Sequence, residues 1–271
     1  GEGPRWHDGR LWYSDFWSRA VWSVEEDGSG HRREFDVPGR PSGLGWLPDG
    51  RLLAVSMEDR AVVRRERDGT TGLHADLSEF VPIDANDMLV LDDGTAFVGQ
   101  FGFDLQGFFR GTAEPRLTSL LRVDPAGHVE VAAQEMSFPN GMVRFGSTLV
   151  VAETFAARLT AFDLGADGSL DGRREWAALE RCFPDGICGD AEGAIWVANA
   201  VAPECIRVAE GGEILARVAT GLPCFACMLG GEDRRTLFIC TAPSSDADRV
   251  GGHQDGRIEV ARVEVPGTGP P

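Results

Sequence analysis

The chain contains no lysine, since all 26 basic residues among its 271 are arginine. This absence excludes mechanisms that need a lysine amine, such as a Schiff base or a Walker-type phosphate loop. The basic residues are outnumbered by 43 acidic ones, which gives a formal net charge of −17. Because nucleic acids bind clustered positive charge, this composition argues against a nucleic-acid partner. No apolar run of about 18 residues is present either, so the sequence predicts no membrane span.

Cysteine is also scarce, with six residues in the whole chain. Only Cys224 and Cys227 form a close pair, and the others lie mostly in apolar, strand-like runs. A zinc or redox site would need a second such pair or a thioredoxin-like context, so buried, reduced thiols are favoured. Reduced thiols indicate a cytoplasmic protein. We also expect a monomer or small homo-oligomer whose partner is a small-molecule substrate.

What the sequence does contain is a repeat. An apolar run, an acidic or glycine turn and a second apolar run recur at residues 7–15, 48–56, 92–100, 145–153, 191–199 and 232–240. Asp-Gly between apolar runs is a strong hairpin signal. A short polar element precedes each hairpin, and successive elements are separated by 40, 44, 54, 45 and 41 positions. A period of about 40–45 residues with four short strands per unit is typical of a β-propeller, and a β-sandwich with accidental periodicity is the alternative.

The sequence thus predicts an all-β, six-bladed β-propeller, a single domain over residues 1–271 with four-stranded antiparallel blades around a central channel. The approximate blades are residues 1–39, 40–82, 83–136, 137–181, 182–222 and 223–271. The last unit offers only three strands. Since propellers close their ring by using one terminus to complete a blade, we expect a fourth strand from residues upstream of Gly1 or from residues 263–265.

The polar element before each hairpin predicts a ring of side chains at one mouth of the channel. Its six members are Glu2, Ser42, Asn86, Asn140, Asp185 and Ala226. Four of them carry oxygen ligands and two are carboxylates, a donor set that suits a hard divalent cation. Calcium is favoured over zinc, manganese or magnesium, and none of the five histidines lies on the ring. The alternative is that these residues form ordinary Asx-Gly turns.

A second set of polar residues ends the second strand of each unit. Antiparallel pairing places Asp15, Ser56, Gln100, Glu153 and Asn199 at the same mouth. They are candidates for substrate contacts or for support of the metal ligands. Each could equally cap the end of its strand.

The long separation of 54 positions between Asn86 and Asn140 indicates an insertion in the third unit. It begins after Gln100 and contains four phenylalanines and two glycines between residues 101 and 110. A loop of this length in a compact repeat is usually functional, so we expect an apolar lid over the metal end, with substrate contacts from Phe101, Phe103 and Asp104. The alternative is a loop that only packs on a neighbouring blade.

Several motifs resemble the senescence marker protein/gluconolactonase/regucalcin family of six-bladed propellers. They are Glu2-Gly-Pro-Arg-Trp6 with Leu11-Trp-Tyr-Ser-Asp15, Asn86-Asp87, Phe138-Pro-Asn-Gly141 with Val151-Ala-Glu-Thr154, Pro184-Asp-Gly-Ile187 with Ile195-Trp-Val-Ala198, and Cys227-Met-Leu-Gly-Gly231. They occur in the family's order and spacing over nearly the whole chain.

The resemblance implies metal-dependent hydrolysis of a lactone or related ester. Glu2, Asn140 and Asp185 match metal-ligand positions of the family, and Asn86 matches a position that binds metal or substrate. Asp185 also matches the position assigned to water activation. A bound cation polarises a carbonyl, and a carboxylate can take a proton from water, so the donor set agrees with this chemistry. No Gly-x-Ser-x-Gly nucleophile motif is present.

One departure bears on the substrate. Members that act on sugar lactones commonly carry arginine two residues before the asparagine at position 86, and this chain has Asp84 there. Together with the phenylalanines of the insertion, this favours a more apolar lactone or ester than gluconolactone. Two other functions remain open from the sequence: a non-catalytic calcium- or ligand-binding propeller, and a metal-assisted, non-hydrolytic step in secondary metabolism.

Overall fold

Six antiparallel sheets contain nearly all the regular structure in the computed structural model, which describes residues 1–250 and 255–268. The first sheet consists of β1 (Glu2–His7), β2 (Arg10–Asp15), β3 (Ala20–Val24) and β4 (Arg32–Asp36). The second consists of β5 (Pro41–Trp46), β6 (Leu52–Ser56), β7 (Ala61–Arg65) and β8 (Thr71–Asp76). The third consists of β9 (Ala85–Val90), β10 (Ala96–Gln100), β11 (Thr118–Val123) and β12 (Val129–Met136).

The second half of the chain repeats this arrangement. The fourth sheet consists of β13 (Pro139–Phe145), β14 (Thr148–Glu153), β15 (Arg158–Leu164) and β16 (Leu170–Ala178). The fifth consists of β17 (Pro184–Gly189), β18 (Ile195–Asn199), β19 (Glu204–Val208) and β20 (Ile214–Ala219). The sixth consists of β21 (Cys224–Gly230), β22 (Thr236–Thr241) and β23 (Arg257–Arg262). Helical structure in the described part is limited to α1 (Leu105–Phe109), a 3-10 turn (Thr154–Ala156) and α2 (Ala247–Val250).

The sheets are the blades of a six-bladed propeller, which confirms the predicted fold. Each blade runs from its innermost to its outermost strand in chain order. The innermost strands β1, β5, β9, β13, β17 and β21 pack on one another in that sequence, and β21 packs back on β1 to close the ring. The first strand starts and the second strand ends at the same mouth of the channel, because the two are antiparallel.

The tight hairpins follow from the turn residues of the repeat. In the first blade Asp8 and Gly9 join β1 to β2 with φ angles of +50° and +72°, the left-handed pair that a two-residue hairpin requires. In the second blade Asp49 accepts a hydrogen bond from the backbone nitrogen of Arg51 at 3.1 Å. The aspartate thus stabilises the turn through its side chain, and glycine permits the backbone conformation.

The hydrophobic core lies between the blades rather than inside one layer. Each pair of neighbouring blades shares a cluster of buried side chains. For example, Leu121 of the third blade and Leu53 of the second belong to one cluster. The clusters together connect all six neighbouring pairs in the ring. Burial between blades therefore holds the ring closed and fixes the mouth to which each strand brings its first residues.

The sixth sheet has three strands in the described part of the chain. Residues 263–265 do not add a fourth strand to it. The segment that follows runs instead to the fifth blade, where Gly267 bridges to Asp190 and the carbonyl oxygen of Pro266 accepts a hydrogen bond from the nitrogen of Ala191 at 2.8 Å. A closing strand from residues upstream of Gly1 stays a prediction.

All six cysteines are buried and none forms a disulfide. Burial raises the pKa of the Cys182 thiol to about 12, and burial also raises the pKa of Cys188 well above its usual value. No helix in residues 1–250 and 255–268 is long and apolar enough to cross a membrane. The cytoplasmic location stays a prediction.

Candidate functional site

The four oxygen-bearing residues of the predicted ring lie where the innermost strands start. Glu2 is the first residue of β1, and Asn86, Asn140 and Asp185 are the second residues of β9, β13 and β17. The two asparagines and Asp185 expose only 5%, 4% and 9% of their surface, whereas Glu2 is partly exposed. The structure therefore brings polar side chains from four blades to the same mouth.

Glycine next to the ring residues allows the innermost strands to approach closely. A methyl group built at Gly141 would lie 2.5 Å from the backbone nitrogen of Ile187 and 2.7 Å from the carbonyl oxygen of Asp185. One built at Gly186 would lie 2.6 Å from the Cα of Ala226. Since backbone atoms cannot give way to such contacts, the glycines are required by the packing of neighbouring blades. They set the small spacing between ring side chains.

The two ring carboxylates are electrostatically unfavourable neighbours. Burial raises the pKa of Glu2 well above its usual range, and the charge of Asp185 raises it further. Burial likewise raises the pKa of Asp185, and the nearby charge of Asp87 adds to the effect. A site with these properties gains free energy when a positive charge enters it.

The ring amides are oriented by hydrogen bonds from their nitrogens. The Nδ2 of Asn86 donates to the carbonyl oxygen of Pro139 at 3.4 Å, and the Nδ2 of Asn140 donates to the Oγ1 of Thr154 at 3.2 Å. Thr154 is fixed in turn, because its Oγ1 donates to the carbonyl oxygen of Pro184 at 2.7 Å. Throughout the described residues no donor bonds to the Oδ1 of either amide. Each asparagine thus retains a free oxygen.

This donor set fits a hard divalent cation. It consists of two carboxylates, whose pKa values show the cost of burying negative charge, and two amide oxygens without a donor. In the described part of the chain, no three His, Cys, Asp or Glu side chains come together as a metal-binding group, so any such site must include the asparagines. Calcium accepts mixed carboxylate and amide oxygens of this kind.

The sixth ring position is occupied by Phe225, and the prediction of Ala226 was wrong by one residue. Cys224 pairs with Thr241 as Pro184 pairs with Asn199, so Phe225 corresponds to Asp185. Strand β21 has seven residues and β17 has six, so counting back from the hairpin turn placed the ring residue one position late. An aromatic ring, buried to 7% exposure, thus stands next to Asp185 in the ring order.

The residues that end the second strands bond mainly within the fold. The Oδ1 of Asp15 accepts from the backbone nitrogens of Trp17 and Ser18 at 3.0 and 2.8 Å. The Oδ1 of Asn199 accepts from the nitrogen of Phe183 at 3.2 Å. These are the contacts of strand-end caps, the alternative that the sequence left open.

Glu153 and Gln100 are both fully buried but differ in how their polar atoms are satisfied. Glu153 accepts hydrogen bonds from Thr160, Arg158 and Arg173 and from the backbone nitrogen of Ser137. The Nε2 of Gln100 donates to Ser119 at 3.0 Å, whereas its Oε1 is buried without a partner in the described residues. Contact of either residue with a substrate stays a prediction.

The insertion in the third blade contains helix α1 and an aromatic cluster. Asp104 caps the helix, since its Oδ1 accepts from the backbone nitrogen of Gly107 at 2.8 Å. Phe101 and Phe103 are buried against Phe138, at ring-centroid distances of 4.6 and 5.7 Å, and Phe103 also contacts Phe155 at 5.0 Å. The insertion is therefore a packed element at this mouth, anchored on the fourth blade.

Comparison with known proteins assigns the family. Residues 1–243 match the model described as "SMP-30/Gluconolactonase/LRE-like region", which covers most of the chain. The chain belongs to the SMP-30/gluconolactonase/LRE-like family. This confirms the resemblance read from the sequence motifs.

Individual members of the family extend the comparison. A 6-deoxy-6-sulfogluconolactonase from Pseudomonas putida is 30% identical over 162 residues, which are 56% of this chain and 55% of that protein. The chain thus matches only about half the length of this relative. A gluconolactonase structure from Xanthomonas campestris is 25% identical with a TM-score of 0.73, covering 89% of this chain and 83% of the other. A calcium-binding protein, regucalcin, from Agrobacterium tumefaciens has a TM-score of 0.80 at 22% identity, covering 100% and 92%, and supports the fold alone.

Within this family member, the position two residues before Asn86 is acidic and lies near other charges. Asp84 is partly buried, and burial raises its pKa, an effect that the charge of Glu58 strengthens and Arg40 opposes. The mouth therefore presents a carboxyl group here rather than a guanidinium.

A cavity in the described part of the chain opens at the opposite end of the channel. It has a volume of about 460 Å³ and is lined mainly by apolar side chains such as Leu89, Met142 and Phe145. Arg5 also reaches it, and its guanidinium lies 3.3 Å from the Oδ1 of Asp87. Because this cavity lies beyond the strand ends remote from the ring, it is separate from the candidate site.

Proposed function

We propose that this protein is a metal-dependent hydrolase that opens a lactone or related ester at the mouth carrying Glu2, Asn86, Asn140 and Asp185. The observation that carries the proposal is a ring that combines the buried Asp185, the partly exposed Glu2 and two free amide oxygens. Membership of the gluconolactonase-like family supports it, as do the activities named for the Pseudomonas and Xanthomonas proteins.

In this proposal the four ring residues hold one divalent cation, and calcium is favoured by the all-oxygen donor set. The calcium-binding relative of the same fold is in keeping with this choice. When bound, the cation supplies a Lewis acid that polarises the substrate carbonyl. The two carboxylates would balance the charge of the divalent cation, and the asparagine oxygens would complete its ligand set without adding charge.

Asp185 is the proposed general base. Its carboxylate accepts a proton from a water molecule while the water oxygen forms a bond to the carbonyl carbon. The bond from that carbon to the ring oxygen then breaks, and the proton passes from Asp185 to the departing alkoxide. Water and lactone are thus converted into one hydroxy acid, and Asp185 returns to its ionised form.

The surroundings of the ring favour an apolar substrate over gluconolactone. Phe225 occupies a ring position, and the insertion places phenylalanines at the same mouth. Asp84, which stands where sugar-lactone members commonly carry arginine, offers no guanidinium to bind sugar hydroxyls. We therefore propose alkyl- or aryl-substituted lactones as the substrate class.

The test is hydrolysis of a panel of aliphatic, aryl and sugar lactones by the purified protein, first with a chelator and then with added calcium, manganese, magnesium or zinc. We expect no turnover in chelator, recovery with a divalent ion, and faster turnover of apolar lactones than of gluconolactone. Asp185→Asn should retain the fold and lose turnover, and Asp171→Asn, an exposed aspartate on β16, is the charge-matched control. Metal-dependent stability without hydrolysis of any member of the panel would instead support a non-catalytic binding propeller.

A further inference from the structure

A second long loop lies at the same mouth as the insertion of the third blade. It connects β22 to β23 in the sixth blade, and its described part ends in helix α2. Val250 is buried and the backbone nitrogen of Val250 bonds to the carbonyl oxygen of Asp246 at 3.1 Å, so the start of this loop is a packed turn. Both loops follow the second strand of their blade and therefore start on the face that carries the ring.

One side chain joins the two loops. The Nε2 of Gln106, in helix α1, donates to the carbonyl oxygen of Ser245 at 3.2 Å. The Oε1 of the same residue accepts from the backbone nitrogen of Ala247 at 2.8 Å. Gln106 thus uses both ends of its amide on the backbone of a loop about 140 positions away in the chain.

The contact made by Gln106 joins loops of two blades that lie on opposite sides of the channel. The innermost strands follow one another around the ring in chain order, so the third and sixth blades face each other across the channel. A direct link between loops of opposite blades on one face must pass over the mouth. Helix α1 and the Ser244–Val250 segment therefore form a strap over the ring residues.

The two ends of the strap are held with unequal strength. On one side Phe103 and Phe108 pack against Phe155 of the fourth blade, at centroid distances of 5.0 and 5.3 Å. On the other side the direct polar links found in the described residues are the two Gln106 hydrogen bonds and a pair between Arg110 and Asp248 at 3.8 Å. Because that ion pair is exposed, it contributes little. The strap is thus hinged on the aromatic cluster and fastened at Gln106.

We propose that Gln106 is a latch that holds the strap closed and thereby limits the size of the substrate that reaches the ring. The inference rests on the proposed function, since it specifies which lactones that site admits. A lactone small enough to fit under the strap reaches the ring directly, whereas one with a bulky substituent must wait for the latch to open. Gln106 is a specificity-determining residue here and does not touch the reacting atoms.

The test uses Gln106→Leu, which keeps the side-chain size and removes both hydrogen bonds. The matched control is Gln134→Leu, because Gln134 is exposed on β12 and its side chain makes no hydrogen bond in the described residues. Each net hydrogen bond corresponds to about a fivefold change in an equilibrium constant, so opening should become roughly 25-fold more favourable. The ratio of kcat/KM for a bulky aryl lactone to that for an unsubstituted lactone should rise by up to the same factor, roughly 25-fold.

A second measurement reports the latch without using activity. Nitroxide labels are attached to Arg110→Cys and Asp248→Cys, both exposed, while the six native cysteines are buried and leave the labelling selective. Dipolar broadening of the electron paramagnetic resonance spectrum should be strong in the labelled protein that retains Gln106, with or without Gln134→Leu. It should be weaker when Gln106→Leu is added.

The outcomes separate the latch from the proposed function. Unchanged broadening in Gln106→Leu would overturn the latch, and reduced broadening with an unchanged selectivity ratio would overturn its role in specificity. If the wild-type protein hydrolyses no lactone, the proposed function falls, and the spectra alone still decide whether Gln106 fastens the strap.

Discussion

Replacing Asp185 by asparagine should change the stability of the protein in opposite directions with and without calcium. In a chelator, the folded protein keeps two carboxyl groups in a buried ring, and burial raises the pKa of both. A carboxyl whose folded-state pKa lies above its unfolded value contributes stability at low pH that is lost as the pH rises from the unfolded pKa through the folded one. At pH 7–8 the ionisation of Asp185 therefore destabilises the folded wild-type protein, whereas Asp185→Asn has no such penalty.

The magnitude follows from the linkage between protonation and folding. Each pKa unit corresponds to about 1.4 kcal/mol, so relief of one buried like charge should stabilise the variant in chelator by about 1–3 kcal/mol. For a chain of this size each kcal/mol raises Tm by about 2–4 °C. The advantage should shrink as the pH is lowered towards about 4, where the unfolded carboxyl also becomes protonated.

Calcium should reverse the order of stability. A ligand that binds only the folded state at 100 times its Kd stabilises that state by about 2.7 kcal/mol. The wild-type protein gains this free energy, whereas Asp185→Asn, with one ring carboxylate fewer, gains less.

The assay is urea unfolding of both proteins in chelator and in saturating calcium, at several pH values. Asp171→Asn serves as the control, because it removes the same charge from an exposed position. A variant less stable than wild type in chelator would refute the idea that the ring carboxylates strain the fold. An equal gain from calcium in both proteins would refute Asp185 as a ligand.

Three further predictions concern the scaffold. Gly141→Ala should lower the free energy of unfolding by about 1–3 kcal/mol, because its methyl group would meet the backbone of Ile187, and an unchanged urea midpoint at constant m-value would contradict this. Glu153→Gln should cost about 1–3 kcal/mol, since it removes the charge from the hydrogen bonds that Arg158 and Arg173 donate to this buried side chain. Burial acts to raise the pKa of Glu153, but hydrogen bonds from Thr160 and from a backbone nitrogen hold this pKa below its usual value. The ionised Glu153 therefore stabilises the folded protein fully above pH ~4.3, and this contribution is lost as the pH falls through the folded-state pKa. The variant should accordingly lose less stability than wild type on acidification, as urea unfolding against pH can show. All six thiols should resist a thiol reagent until the protein unfolds, and rapid reaction of any of them in the native state would contradict the burial described above.

The propeller and most of the ring could be predicted from the sequence because both depend on local, repeated signals. Asp-Gly turns set the hairpins, and an Asx-Gly step before a hairpin marks the ring in the fourth and fifth blades. In the sixth blade no such step exists, and the position had to be counted from the turn of a strand one residue longer than its counterpart. Phe225 was missed for that reason. The correspondence of Cys224 with Pro184 shows it only once the strands are paired.

The parts of the site that sequence reasoning could not resolve depend on contacts between distant residues. In the sequence, a polar residue at the end of a strand gives the same pattern whether its side chain binds a ligand or caps the strand end. Glu153 is distinguished by donors from other parts of the chain, among them Arg158 and Thr160, which bond to its Oε1 at 2.9 and 2.5 Å. The loop after β22 gave one usable signal, a stretch rich in serine, aspartate and glycine between Thr241 and Arg257, but its contact with Gln106 arises from the closed ring.

The distribution of the ring residues over four blades has a consequence for how the protein folds. Glu2 and Asp185 lie 183 positions apart, and their strands β1 and β17 are joined through the sixth blade once β21 packs on both. Contacts of such long range form late and slowly, because the intervening chain must first be ordered. Blades one to five carry all four donors, but Glu2 is held beside Asp185 only when the sixth blade docks between the first and fifth. Uptake of a cation would then report completion of the ring itself, and a growing or truncated chain would stay free of metal and of activity until its last blade had docked.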